Sequence, residues 1–346
     1  MFENEIACYS RNEYPSLAAQ FDDWGRSMPF KGVRVLDATP VFRNTLAKHR
    51  ALIAGGAELT VGVTRGIMYD REVAEILRVA GIRVAENLKN GDFDLVLDCA
   101  GLHAGNRAKY GYVELTRSGL HRYGRCPSPV VSADSGRIKL LETCLGTGDG
   151  FIRAMRQLGH ADFTGRKLVV FGCGKVGRGV AMYAAKAGAD VTVVDDISRV
   201  APPDGCSIVD MNDSAAIERV TGGAWCVVSA TGIKGAWSGR FELSSLLASS
   251  ALIANMGVED EFGPEVPAAR VLNRKKPLNF ILAEPTRLKY LEATMALDNA
   301  LALALLGGGF APGVNPPPET IEQQIMNLTF SDGVIGDEIT EMKLYE

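Results

Sequence analysis

Lys167–Phe171 followed by Gly172-Cys-Gly174-Lys-Val-Gly177 constrains this chain more than any other stretch. Five mostly apolar residues predict a strand, the glycines a tight turn, and residues 176–187, rich in Ala and Gly, a helix. Asp195 ends the next predicted strand, 18 residues after Gly177. Strand, G-x-G-x-x-G turn, helix and a terminal acid form the fingerprint of a dinucleotide-binding α/β unit. Each glycine has a task. Gly172 permits the turn out of the strand, Gly174 lets backbone approach a pyrophosphate, and Gly177 lets helix and sheet pack closely. The phosphates then rest on the free N–H groups that open the helix at Lys175 and Val176. Asp195 accepts from ribose hydroxyls and repels a 2′-phosphate, so the expected cofactor is NAD rather than NADP.

The same alternation runs through the rest of the chain. Strands are expected at 33–38, 58–63, 82–85 and 93–98, with helices at 42–54 and 70–80 between them. Residues 101–137, punctuated by six glycines and two prolines, read as loops. Residues 138–158 read as a helix broken around Gly146 and Gly148. Later strands are expected at 190–194, 225–230, 251–255 and 280–283, and helices at 287–306 and 319–327. At 346 residues two domains are natural. The expected fold is α/β, with two doubly wound domains, one of Rossmann type.

Composition removes several classes. A net charge of −4 argues against nucleic acid as a partner. No stretch reads as a membrane span, and the acidic first residues do not read as a secretory leader. The seven scattered cysteines hold no CxxC pair, which predicts free thiols in a cytoplasmic protein. No His/Asp/Glu cluster has metal-ligand spacing, so no metal is expected.

Several further segments resemble the S-adenosylhomocysteine hydrolase family. They are Val228-Ser-Ala-Thr231-Gly232, Ala251-Leu-Ile-Ala-Asn255-Met256-Gly257, and Leu282-Ala-Glu284-Pro-Thr-Arg287-Leu288. In the first half they are Pro29–Arg34, Gly56-Ala-Glu58 and Asp134-Ser135, and Cys144–Thr147 fits loosely. The resemblance implies a substrate domain at 1–145 completed by 291–346, an NAD-binding domain at 146–290, and a cleft between them. It adds Thr231, Gly232, Asn255, Met256 and Gly257 to the cofactor contacts, with Thr116 and Ser118 near the nicotinamide ribose. Small-molecule chemistry in a homo-oligomer is expected.

The departures are as informative. Pro40, Ile138, Val258 and Leu297 stand where the family has titratable side chains, and Asn44, Thr143, Tyr290 and Cys99 are also changed. Such apolar groups move no protons, so hydrolysis of adenosylhomocysteine is not expected. The family's tail lysine and tyrosine are not matched by Lys343 and Tyr345 in spacing. The remaining acid–base candidates are Lys139 and Glu142, three apart on one predicted helix, with His103 and His121 in the glycine-rich stretch. Arg117 is a candidate for a substrate carboxylate or phosphate. His49, beside Lys48 and Arg50, reads as solvated, and His160 as a surface residue. Three functions fit: an NAD-dependent oxidoreductase-type enzyme, an adenosylhomocysteinase with a rearranged site, and a non-catalytic NAD-binding regulator.

Overall fold

A computed structural model describes residues 2–238 and 244–342, so Lys343 and Tyr345 lie outside the described residues. The chain forms two compact units. One comprises the chain up to Leu141 together with the chain from Arg287, and the other is Glu142–Thr286.

The first unit is built on a wholly parallel seven-stranded sheet. Its strands are β1 (Arg34–Asp37), β2 (Glu58–Val63), β3 (Arg83–Glu86), β4 (Asp92–Asp98), β5 (Arg107–Glu114), β6 (Pro129–Ser132) and β12 (Gly313–Asn315). They lie in the order β12-β6-β5-β4-β1-β2-β3. Val35-Leu36 and Leu95-Val96-Leu97 are almost fully buried, as strands covered on both faces must be. The covering helices include α2 (Pro15–Ser27), α3 (Thr45–Ala54), α4 (Arg71–Val79) and α10 (Leu288–Gly307). Asp70 caps α4, its carboxylate accepting from the N–H groups of Glu72 and Val73 at 2.8 and 3.2 Å. Helix α10 is apolar nearly all round, which fits its position packed among α2, α3, β5 and α11 (Glu319–Ser331).

The second unit holds five parallel strands: β7 (Lys167–Phe171), β8 (Asp190–Asp195), β9 (Ser207–Asp210), β10 (Cys226–Ser229) and β11 (Leu252–Asn255). Their order is β11-β10-β7-β8-β9. Counted from its own first strand, each sheet therefore runs third-second-first-fourth-fifth, the doubly wound order. Its winding reverses beside the first strand, between β1 and β4 and between β7 and β10.

Three expectations change. Residues 101–137 are not all loop, because they contain β5 and β6. Gly111 sits inside β5 at φ +137°, where a Cβ would stand 2.5 Å from the Pro129 carbonyl, so this glycine serves strand pairing rather than a turn. Residues 280–283 form no strand. Leu278–Ile281 is a 3₁₀ turn, and beyond β11 the sheet makes, among the described residues, a single bridge at Pro277, which has no N–H to give. Residues 138–157 do not break at Gly146 and Gly148. A short helix, α5 (Ile138–Leu140), widens into a π-helical turn at Leu141–Gly146 and continues as α6 (Thr147–Gln157). Strand β9 and helix α8 (Ser214–Thr221) were not expected. No helix among the described residues is long and apolar enough to cross a membrane.

Candidate functional site

The glycine-rich turn links β7 to α7 (Lys175–Lys186) at the winding reversal of the second sheet. Gly172 has φ +95°, and a Cβ there would lie 2.4 Å from the Ala230 carbonyl oxygen. A Cβ on Gly177 would lie 1.9 Å from the carbonyl oxygen of Gly172. The fold itself therefore requires both glycines. Gly174 differs. Its φ of −70° suits any residue, it is exposed, and a Cβ there would meet nothing within 4 Å. No described residue accounts for a glycine at that position. Lys175 is exposed and Val176 is half-buried against the core.

Asp195 ends β8 half-buried. One of its carboxylate oxygens accepts from Cys173 N at 2.5 Å and the other from Asp196 N at 2.7 Å, so the acid also fixes the shape of the turn. Beyond β10, Glu261 is fully buried and gathers four donors. It accepts from the Ser229 hydroxyl (2.5 Å), from Thr231 N and the Thr231 hydroxyl (both 2.8 Å), and from Gly232 N (2.8 Å). No sequence pattern marked Glu261, because it contacts these donors only across the folded loops. The Asn255 side-chain amide donates to the carbonyls of Gly257, Glu259 and Lys275, which makes it the knot of the β11 loop. Met256 is buried, and Gly257 lies against Glu261, where a Cβ would stand 1.9 Å from its carboxylate. The loops after β8, β10 and β11 expose Ile197, Ile233 and Val258.

In the first unit, the carboxyl ends of β4, β5 and β6 bring Asp98, Glu114 and Ser132 into one row of register partners. Asp98 is buried, and desolvation pushes its carboxyl up to about 6 even though it accepts from the Tyr123 hydroxyl (2.5 Å), Cys99 N and His103 N. Burial also raises the Glu114 carboxyl, against hydrogen bonds from Thr116 N and the Thr116 hydroxyl. The Thr116 hydroxyl in turn meets that of Ser118 at 2.8 Å.

The four acid–base candidates are distributed around this region and beyond it. Lys139 is buried and its amine donates to the Leu115 carbonyl at 3.0 Å. His121 is exposed, its Nδ1 2.8 Å from the Ser118 carbonyl oxygen. His103 is enclosed, with Nε2 2.8 Å from the Thr64 hydroxyl, beside a cavity of about 10 Å³ lined also by Pro40 and Tyr69. Burial lowers the pKa of His103, which favours the neutral ring that a base needs. Glu142 falls in the second unit, on the π-helical turn.

The expectation that His49 is solvated is wrong. Lys48 and His49 are both fully buried. The Lys48 amine lies 2.6 Å from Asp37, 2.7 Å from Asp298 and 2.7 Å from the Thr39 hydroxyl, and His49 Nε2 lies 3.4 Å from Asp37. Only Arg50 of that trio is near the surface, paired with Glu3 at 3.0 Å and stacked on the Phe21 ring. Burial opposes the charge on Asp37, but Lys48 and His49 outweigh it and hold its carboxyl well below the usual range. Burial wins at Asp298, pushing it up to about 6. His160 is half-buried, its ring edge-on to Trp225. No group of three or more His, Cys, Asp or Glu among the described residues is placed to hold a metal ion.

No family model matches the chain. It is similar to the adenosylhomocysteinase of Archaeoglobus fulgidus, at 29% identity over 68% of this chain and 64% of that one. It is similar to the S-inosyl-L-homocysteine hydrolase of Methanosarcina mazei, at 28% identity over 60% of this chain and 59% of that one. The adenosylhomocysteinase of Thermotoga maritima is 27% identical over 92% of this chain and 82% of its own length. The chain thus spans about six-tenths of the length of the first two relatives.

Proposed function

We propose that the second unit binds NAD at the Gly172–Gly177 turn, and that the chain is an NAD-dependent enzyme performing oxidoreductase-type chemistry on a small polar substrate. The observation that carries this is Gly174. Two glycines of the turn are demanded by internal contacts, whereas the third leaves open space at the N-terminus of a twelve-residue helix. A pyrophosphate is the group for which such a position is left bare. Asp195 stands at the end of the neighbouring strand for the ribose, and its charge favours NAD over NADP. Ile197 and Ile233 supply exposed apolar surface on the same strand ends for a flat base.

Bound NAD supplies a hydride acceptor. This chain's part is to hold the dinucleotide, orient the substrate and take a proton. Lys139, Glu142, His103 and His121 are the proposed proton carriers, with Thr116 and Ser118 as ribose contacts. The adenosylhomocysteinase likeness supports an enzyme, but Ile138 and Leu297 are fully buried apolar residues and Val258 is an exposed one where proton carriers were expected. The protein, supplied with NAD and either adenosylhomocysteine or S-inosylhomocysteine, is expected to release no homocysteine above background in a thiol assay. Sustained, enzyme-dependent release would return the chain to hydrolysis by a rearranged site.

A further inference from the structure

Residues 115–133 contain Arg117, His121, Arg122 and Arg125 and no aspartate or glutamate, in a protein whose net charge is −4. All four are exposed, and the three arginines make no ion pair among the described residues. Of the other exposed arginines, Arg11 pairs with Asp22, Arg26 with Asp23, Arg43 with Glu5 and Arg78 with Glu75, whereas Arg65, Arg71 and Arg83 also make no ion pair among the described residues. What sets these three apart is place: they follow one another where the chain leaves β5, at the carboxyl end of a parallel strand, the place such sheets present to ligands.

This loop is built to hold its shape. Glu114 anchors its start through Thr116. Thr116 reaches across to accept from Ala100 N at 3.1 Å. A Cβ on Gly119 would stand 2.0 Å from Gly101 N, so the loops after β4 and β5 lie back to back. The aliphatic stem of Arg122 lies over Gly101, close enough that a Cβ there would stand 2.8 Å from its Cδ. Arg117 is held at φ +60°, a left-handed conformation that a long side chain rarely adopts. Strained backbone is retained where the surroundings impose it, commonly at ligand sites. Beside Arg117, the Ser118 hydroxyl ends a hydrogen-bond chain that starts at buried Glu114.

We propose that the Thr116–Arg125 loop receives the anionic group, a phosphate or a carboxylate, of the small substrate. Arg117 and Arg122 are its planar, two-pronged donors. A guanidinium fork matches a phosphate or carboxylate edge with two parallel hydrogen bonds, which an ammonium does not reproduce. The proposal rests on the enzyme reading above and narrows its substrate to an anion.

The test uses full-length protein saturated with NAD, with inorganic pyrophosphate and citrate as separate probes for the two anion chemistries. Arginine modification by phenylglyoxal is followed residue by residue by peptide mass spectrometry. A probe is expected to slow modification of Arg117 and Arg122 at least tenfold while leaving unpaired Arg125 and paired Arg78 much less affected. Protection by pyrophosphate alone assigns a phosphate, and by citrate alone a carboxylate. Arg117→Lys is expected to abolish protection at Arg122 while keeping the charge. Equal protection of all exposed arginines, or none at Arg117 and Arg122, would overturn the proposal. NAD affinity is measured on the same samples. NAD binding without protection sinks the anion site alone, and protection without NAD binding sinks the cofactor reading alone.

Discussion

Gly174→Val is expected to fold as the parent does and to lose affinity for NAD by at least about a hundredfold, roughly 2.7 kcal/mol of binding. The added carbons enter space that no described residue occupies, at a φ that suits them. They fill the gap through which backbone must approach a phosphate. Gly177→Ala should behave in the opposite way. Its Cβ would lie 1.9 Å from the Gly172 carbonyl oxygen, against backbone that cannot swing aside. Overpacking of that kind costs about 1–3 kcal/mol or more. The contrast is read from thermal melts beside NADH fluorescence titrations. A Gly174→Val protein that melts early, or one that binds NADH as the parent does, would show that the open space is not a phosphate site.

Lys48→Met is expected to destabilise the first unit by about 3–5 kcal/mol, because it strands two buried carboxylates without their cation. Asp37, Lys48 and Asp298 are each at most 1% exposed. The loss should depend on pH, with a definite sign. Asp298 has a folded-state pKa raised to about 6, so its stabilising contribution is complete below the unfolded value of about 3.9 and disappears as pH rises through 6. Asp37 is held below its unfolded value, so its contribution is present above about 3.9 and is lost on acidification. Without Lys48 both carboxyls gain by taking up a proton. The deficit of the variant relative to the parent should therefore be smaller at pH 5 than at pH 8. Urea titrations at the two pH values decide it. A deficit under about 1 kcal/mol, or one larger at pH 5, would mean that the buried cluster does not hold the unit as described.

These two cases also mark what the sequence could reveal. The glycine turn was legible because its physics is local: six residues, a strand before, a helix after and an acid one strand later. The doubly wound order follows from that alternation, and most strands fell within a residue or two of their expected bounds. The buried cluster was not legible, because Lys48 and Asp298 are 250 residues apart and only α10 packing on α3 joins them. A Lys-His-Arg run reads as solvent-facing until its partners are known. Glu261 was invisible for the same reason: its four donors come from the β10 end and the loop beyond it. Strands β5 and β6 were hidden by a glycine inside one strand, Gly111, and a proline at the start of the other, Pro129.

The central claim is that the Gly172–Gly177 turn and Asp195 make an NAD site. Calorimetric titration of the purified chain, stripped of bound nucleotide, tests it most directly. One NAD per chain is expected, with NADP at least about tenfold weaker, a gap of about 1.4 kcal/mol that narrows in Asp195→Ser. No binding heat with millimolar NAD, or equal affinity of the parent for NAD and NADP, would contradict it.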